Sequence, residues 1–352
     1  MTRLRVAIAG AGIGRQHAAA YRGLADRFDL VAICDLSADR RDAFARDFAV
    51  ARTAASFEEV LACDDVDVVD ICTPQYLHFG QALAALAAGK HVICEKPVVG
   101  SLAECDALAA AAGDACRHVM PIFNYRFGAG LQRLLHLVGR GVVGKHYLTT
   151  AETTWRRGPE YFAVAWRGRR AQAMGGCLLT QAIHAHDAVT LALGPVRSVY
   201  GAIATRVNPV ETEDCAAATL TFADGSLASL AVTLGSADDT SRLRFHFEHL
   251  TALSSLAPYT LTAEPWTWLP ASDAAARRIA EALADFRPGR EGFAGQFERF
   301  HDAMVAGAPP PVTLADARAS IELLTALYHS AATGSRVDLP IASTHEAYRG
   351  WL

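Results

Sequence analysis

Over the first 120 residues, short apolar runs alternate with stretches of helical period. Leu4–Ala9, Leu30–Cys34, Val66–Cys72, His91–Cys94 and Arg117–Met120 read as strands. Arg15–Leu24, Ala38–Phe48, Ser56–Leu61, Tyr76–Ala88 and Leu102–Ala112 read as the helices between them. Apolar strands separated by helices imply a parallel, doubly wound sheet covered on both faces. From about residue 145 the period changes. His146–Thr154, Val196–Val207, Cys215–Phe222, Ser226–Leu234 and Leu243–His249 look like strands joined by short turns, an antiparallel pattern. A helix over roughly Gly176–Leu193 stops at Gly194-Pro195, and two more, Gly292–Ala306 and Leu314–Thr333, flank Pro309-Pro310-Pro311. The pattern predicts an α/β chain, with a doubly wound domain over 1–122 and an α+β domain over 123–352 whose open sheet is largely antiparallel.

Composition narrows the class. The 352 residues are 51% hydrophobic and 20% charged, with a formal net charge of −4 and no block of like charges. Neither a nucleic-acid groove nor an anionic-membrane patch fits that distribution. No apolar run approaches the roughly 18–20 residues of a membrane span. Arg3 and Arg5 before Val6–Ala9 look briefly like a secretory signal, but the apolar run is too short for one. The eight cysteines include no C-x-x-C pair and no zinc spacing, so no metal is expected, and their thiols fit a reducing cytoplasm. Lysine is scarce: Lys90, Lys96 and Lys145 are the only three.

Gly10-Ala11-Gly12-Ile13-Gly14 follows a predicted strand and opens a predicted helix. Such a turn brings backbone N–H groups to a pyrophosphate at a helix N-terminus, although here the third glycine comes one residue early. Asp35 ends the next strand 21 residues after Gly14, where an acid takes the ribose hydroxyls of NAD and repels a 2′-phosphate. A loop aspartate capping the following helix is its structural alternative, and Arg40 offers a route to NADP. Thr73-Pro74-Gln75-Tyr76-Leu77-His78 stands at the carboxyl end of a strand, with Thr73 as a helix cap and Pro74 at the first helical position. Glu95-Lys96-Pro97 follows His91–Cys94 on the same edge. A lysine there lies beside a bound nicotinamide and can stabilise a developing alkoxide; a plain pairing with Glu95 is the alternative.

In the second half, Thr180, His184 and Asp187 stand at i, i+4 and i+7 of the expected helix and so share a face. His184 is the only histidine on that face, and Gly175-Gly176 allows close approach of a ligand. A satisfied core histidine is the alternative for His184, and His186 points away from that face.

Together these stretches resemble the glucose–fructose oxidoreductase, inositol dehydrogenase and MocA (GFO/IDH/MocA) family. The match adds Ala88-Gly89-Lys90-His91-Val92-Ile93-Cys94-Glu95-Lys96-Pro97, Asn124-Tyr125-Arg126-Phe127, Trp166-Arg167-Gly168 and Gly175–His184 to the motifs above. The resemblance implies an NAD(P)-dependent oxidoreductase with a Rossmann domain, sugar-like or cyclic polyol substrates, and assembly into a homodimer or homotetramer through the second domain's sheet. It implies Lys96 and His184 as catalytic residues and Thr180 where the family often has Asp, which leaves the usual Asp/His pair incomplete. Arg126, Trp155, Trp166, Arg167 and Asp187 are substrate-pocket candidates. Gly10, Gly12, Ile13, Gly14, Asp35, Arg40, Thr73, Pro74, His78, Glu95 and Lys96 are cofactor candidates. Two alternatives stay open on the same fold: a nucleotide-bound sensor, and a glycosidase that oxidises its substrate transiently with retained NAD.

Overall fold

The computed structural model describes residues 3–351 and divides the chain into two compact units. The first contains residues up to Phe123 together with Phe293–Ile321, and the second contains Asn124–Gly292 with Glu322 onward.

In the first unit, β1 (Leu4–Ala9), β2 (Phe28–Cys34), β3 (Arg52–Ala54), β4 (Val68–Ile71), β5 (His91–Cys94) and β6 (Val119–Pro121) form one sheet ordered β3-β2-β1-β4-β5-β6. Every pair is parallel. The order reverses between β1 and β4, which opens a crevice at the carboxyl ends of those two strands. Val6, Ala7, Ile8, Val68, Val69 and Ile71 are sealed from solvent, as strands covered on both faces require.

A division at residue 122 assigns 293–321 to the second domain, whereas these residues cluster with the first unit. The Gly292–Ala306 helix carries Phe297 and Phe300, both fully buried, so it needs an apolar surface to cover. It finds one on the first unit: the Phe297 ring stacks on Tyr21 at 4.4 Å and meets Phe28 edge-on at 6.5 Å. The first unit is therefore discontinuous in sequence, and the Leu314–Thr333 helix is shared between the units.

In the second unit, β7 (His146–Arg156), β8 (Val196–Ala204), β9 (Cys215–Phe222), β10 (Leu227–Thr233), β11 (Gly235–Phe247), β12 (Leu250–Leu253), β13 (Thr267–Pro270) and β14 (Val337–Asp338) form one sheet. Its order is β13-β12-β11-β7-β10-β9-β8-β14, antiparallel except for the β10–β7 pair. Inward residues such as Leu220, Leu230, Leu243 and Phe245 are buried while their neighbours face out, the alternation of a sheet with one covered face.

The single helix expected over Gly176–Leu193 is two helices, Cys177–Thr180 and Ile183–Leu193. At the junction the Ala182 N–H reaches back to the Cys177 carbonyl at 2.9 Å, one residue wider than an α-turn. Thr180 and His184 thus do not share the face of one continuous helix.

His186, on the second of these helices, is fully buried, and desolvation pushes its pKa down to about 4. Its folded pKa lies below the unfolded value near 6.5, so its contribution is complete above that pH and is lost as pH falls toward 4. Urea titrations should lose about 2 kcal/mol through this residue between pH 7 and pH 5. His186→Leu should flatten that limb; an unchanged slope would show that His186 is not held neutral.

Candidate active site

The first unit gathers the expected cofactor residues at the carboxyl edge of its sheet. Gly10 has φ +106°, and a Cβ there would lie 2.5 Å from the Cys72 carbonyl oxygen, so only glycine lets the turn after β1 pass the end of β4. Gly14 has a different job: its Cβ would fall 2.7 Å from Ile8 Cγ2, so its absence lets the Gly14–Arg22 helix pack on β1. Among the described residues nothing lies within 4 Å of a Cβ on Gly12, leaving that side of the turn open beside Ile13, which precedes the helix without a side-chain cap. The early third glycine therefore still performs the helix-packing role of the usual spacing.

Asp35 is buried at the end of β2. Its Oδ2 accepts the Ala11 N–H at 2.9 Å, while Oδ1 accepts the Ser37 N–H and the Arg40 guanidinium, each at 2.9 Å. Ser37, not Asp35, caps the Ala38–Phe48 helix. The carboxylate ties the glycine turn to the second strand and carries a partner cation that is largely in solvent. Leu36 beside it is 87% exposed, an apolar side chain with no folding reason to face water and one that motif spacing did not single out.

Thr73 does not cap a helix: its hydroxyl donates to Gln81 Oε1 at 2.6 Å, and Pro74 precedes a short 3-10 turn, Gln75–Leu77. His78 is buried, with Nδ1 2.7 Å from the Pro97 carbonyl oxygen and Nε2 2.8 Å from that of Thr73. It ties the loop after β4 to the loop after β5, a bracing position behind the crevice. Lys96 follows β5, and its backbone N–H donates to Glu95 Oε2 at 3.0 Å. Desolvation lowers the Lys96 pKa below the ordinary lysine range, and the Glu95 charge offsets part of that. An amine so placed gains from nearby negative charge, as a developing alkoxide supplies.

The open side of the turn at Gly12–Gly14 and the Asp35 carboxylate are the residues that would hold the pyrophosphate and ribose of a nicotinamide dinucleotide, with Lys96 on the same sheet edge.

In the second unit, Arg126 and Asp187 satisfy one another. Nε and Nη2 of Arg126 donate to the two carboxylate oxygens at 2.8 and 2.6 Å, and both side chains are nearly sealed from solvent. This bidentate pair pins the Asn124–Phe127 turn to the Ile183–Leu193 helix. The Tyr125 ring of that turn then stacks on His184 at 4.5 Å, 18° from parallel, while its hydroxyl donates to the Pro258 carbonyl at 3.1 Å. Arg126 and Asp187 are both substrate-pocket candidates, and here they bond to one another at the turn whose Tyr125 stacks on His184.

Thr180 lines a shallow cleft with Tyr161, Trp166, Arg167, Gln181 and Glu213. The Thr180 hydroxyl donates to the Gly176 carbonyl at 2.7 Å, and the Gln181 amide donates to the Tyr161 hydroxyl at 2.8 Å. Arg167 lies over the Tyr161 ring at 4.1 Å. Tyr161 and Gln181 were not singled out from sequence, although Gln181 sits directly beside Thr180. Trp155 lies elsewhere: it is buried, with Nε1 donating to Ser241 Oγ at 2.9 Å. The Gly175-Gly176 pair makes room for the protein, not a ligand, since a Cβ on Gly176 would sit 1.8 Å from the Glu213 carbonyl oxygen.

A model of an oxidoreductase family with an NAD-binding Rossmann fold (GFO_IDH_MocA) matches residues 4–123, and that of a GFO/IDH/MocA C-terminal domain matches residues 131–252. The D-glucoside 3-dehydrogenase of Escherichia coli K12 is 33% identical over 192 residues, 54% of this chain and 54% of that protein. The chain thus matches about half the length of that relative. The levoglucosan dehydrogenase of Pseudarthrobacter phenanthrenivorans is 26% identical over 266 residues, 66% of this chain and 68% of that protein. The crystal structure of a WlbA dehydrogenase from Chromobacterium violaceum, in complex with NADH and UDP-GlcNAcA, superposes with a TM-score of 0.86 at 28% identity, covering 97% of each chain.

Proposed function

The chain belongs to the GFO/IDH/MocA oxidoreductase family, and on that premise we propose that it is an NAD-dependent dehydrogenase or reductase acting on a secondary alcohol, or the matching ketone, of a sugar, cyclic polyol or derivative. The desolvated amine of Lys96 at the carboxyl edge of the first sheet carries this proposal: a lysine on the open surface would be solvated. NAD, when bound, supplies the two-electron acceptor or donor.

Lys96 holds the reacting oxygen and stabilises its charge. His184 takes the hydroxyl proton during oxidation and returns it during reduction. Thr180 accepts or donates at a neighbouring hydroxyl, and it carries no charge, so it leaves the proton to His184. Trp166, Arg167 and Tyr161 offer an aromatic wall with a cation, a surface suited to the apolar face and hydroxyl rim of a sugar ring. The eight cysteines are free, five of them buried, which supports a reducing cytoplasm. Ala202, Ala217, Leu227 and Ala231 on the uncovered face of the second sheet are exposed, which supports assembly into a homodimer or homotetramer.

The test is nicotinamide reduction across sugars, inositols and sugar acids, with NAD⁺ and NADP⁺ in parallel. Turnover with NAD⁺ on such a substrate is expected. Binding of NAD⁺ without any turnover across the panel, or glycoside cleavage with retained NAD⁺, would replace the dehydrogenase assignment.

The same assay addresses cofactor choice. Asp35 repels a 2′-phosphate, but the Arg40 guanidinium on that carboxylate offsets part of the repulsion. Arg40→Ala is expected to widen the preference for NAD⁺ over NADP⁺ about threefold in kcat/KM, the scale of a solvent-exposed ion pair. A ratio that stays constant or narrows would show that Arg40 does not act at the ribose.

A further inference from the structure

Beneath the glycine turn lies a buried group of charges, His17, Asp70 and Glu95, of which only Glu95 is among the cofactor candidates. His17, on the Gly14–Arg22 helix, is fully sealed from solvent. Its Nδ1 is 2.9 Å from Asp70 Oδ2 on β4, and its Nε2 is 3.2 Å from Glu95 Oε1 at the end of β5. The other oxygen of Glu95 accepts the backbone N–H of Lys96 at 3.0 Å. The Tyr21 hydroxyl donates to Asp70 at 2.9 Å, and the Cys72 thiol stands 3.3 Å from His17 Nδ1. The helix that returns to this unit closes the cluster with uncharged rings, Phe293 at 4.5 Å and Phe297 at 5.2 Å from the imidazole.

A neutral imidazole has one donor nitrogen and one acceptor nitrogen. Here both nitrogens face carboxylate oxygens, and only an imidazolium donates to both. We propose that His17 is a positioning residue: as an imidazolium it clamps Asp70 and Glu95 at once, and through Glu95 it sets the placement and charge of Lys96. Burial disfavours its charge, but the field and hydrogen bond of Asp70 outweigh that and raise its pKa well above the ordinary value. Two buried carboxylates, Asp70 and Glu95, thus share one imidazolium. Glu95 meets His17 with one oxygen and the Lys96 backbone N–H with the other, and its charge raises the pKa of the Lys96 amine, so its ionisation links His17 to Lys96.

The inference deepens the proposed function, since it concerns the amine assigned there, but its measurements require neither substrate nor cofactor. The first is ¹⁵N NMR of histidine-labelled native protein, with the His17 signal assigned by its loss in His17→Gln. Both ring nitrogens are expected to be protonated at pH 8; a bare nitrogen there, as a neutral or metal-bound imidazole shows, overturns the proposal. The second follows the amines by ¹³C NMR after reductive methylation, with Lys96 assigned through Lys96→Arg. In His17→Gln the Lys96 midpoint is expected to move by about half a unit or more, roughly a threefold change in proton affinity. An upward move means Asp70 takes the extra proton and Glu95 stays charged; a downward move means Glu95 takes it. A midpoint that stays in place in folded protein overturns the link from His17 to Lys96.

Discussion

Lys96→Met is expected to lower kcat by about 10²–10⁴, the range for removing one positioned group that acts on charge or protons in the transition state. Methionine keeps the length and apolar stem of lysine, so packing after β5 persists and only the amine is lost. The NAD⁺ dissociation constant should change by less than about threefold, because pyrophosphate and ribose are held at Gly12–Gly14 and Asp35. Stability should change little, since the desolvation that the amine no longer incurs offsets the loss of its attraction to Glu95. A loss confined to kcat, with cofactor affinity and Tm intact, marks an interaction made in the transition state. A drop below tenfold would remove Lys96 from the chemistry.

The same residue shows why part of the site was legible. Its motif is local: strand, Glu95, Lys96, turn, all within one βα connection, and the parallel sheet brings every such connection to one edge. Gly10–Gly14, Asp35 and Thr73 could be placed relative to one another for that reason. The Gly292–Ala306 and Leu314–Thr333 helices were equally legible, because glycine, a proline run and continuous apolar period mark their ends.

What sequence alone concealed depends on contacts between distant segments. No glycine or proline marks the break at Gln181-Ala182; it follows from a wide turn at Cys177 and from Gln181 reaching Tyr161, 20 residues away. The pairing of Arg126 with Asp187 spans 61 residues, so no local pattern announces it. Trp155 reads as a sugar platform until the strand register sets it opposite β11, where Ser241 takes its indole N–H. The return of residues 293–321 to the first unit is another such case, since aromatic positions such as Phe297 say that a helix has an apolar face but not which surface covers it.

His184→Asn should be separable from Lys96→Met by its response to pH. Oxidation of an alcohol releases a proton, and with His184 gone that proton must leave to water or hydroxide. Near pH 7 kcat is expected to fall by about 10²–10³. Because hydroxide becomes more abundant, the variant should recover with rising pH, with a slope that the native enzyme lacks over the same range. Asparagine retains a polar side chain at the start of the Ile183–Leu193 helix, so the Arg126–Asp187 pair and the fold should persist. Tyr125→Phe is the control for position: it keeps the ring stacked on the imidazole and removes only the hydroxyl bonded to Pro258. If Tyr125→Phe retains activity within a few-fold while His184→Asn shows the alkaline recovery, the imidazole acts as a proton carrier. If His184→Asn loses activity equally at every pH, its imidazole orients the substrate instead, and the proton leaves through another group.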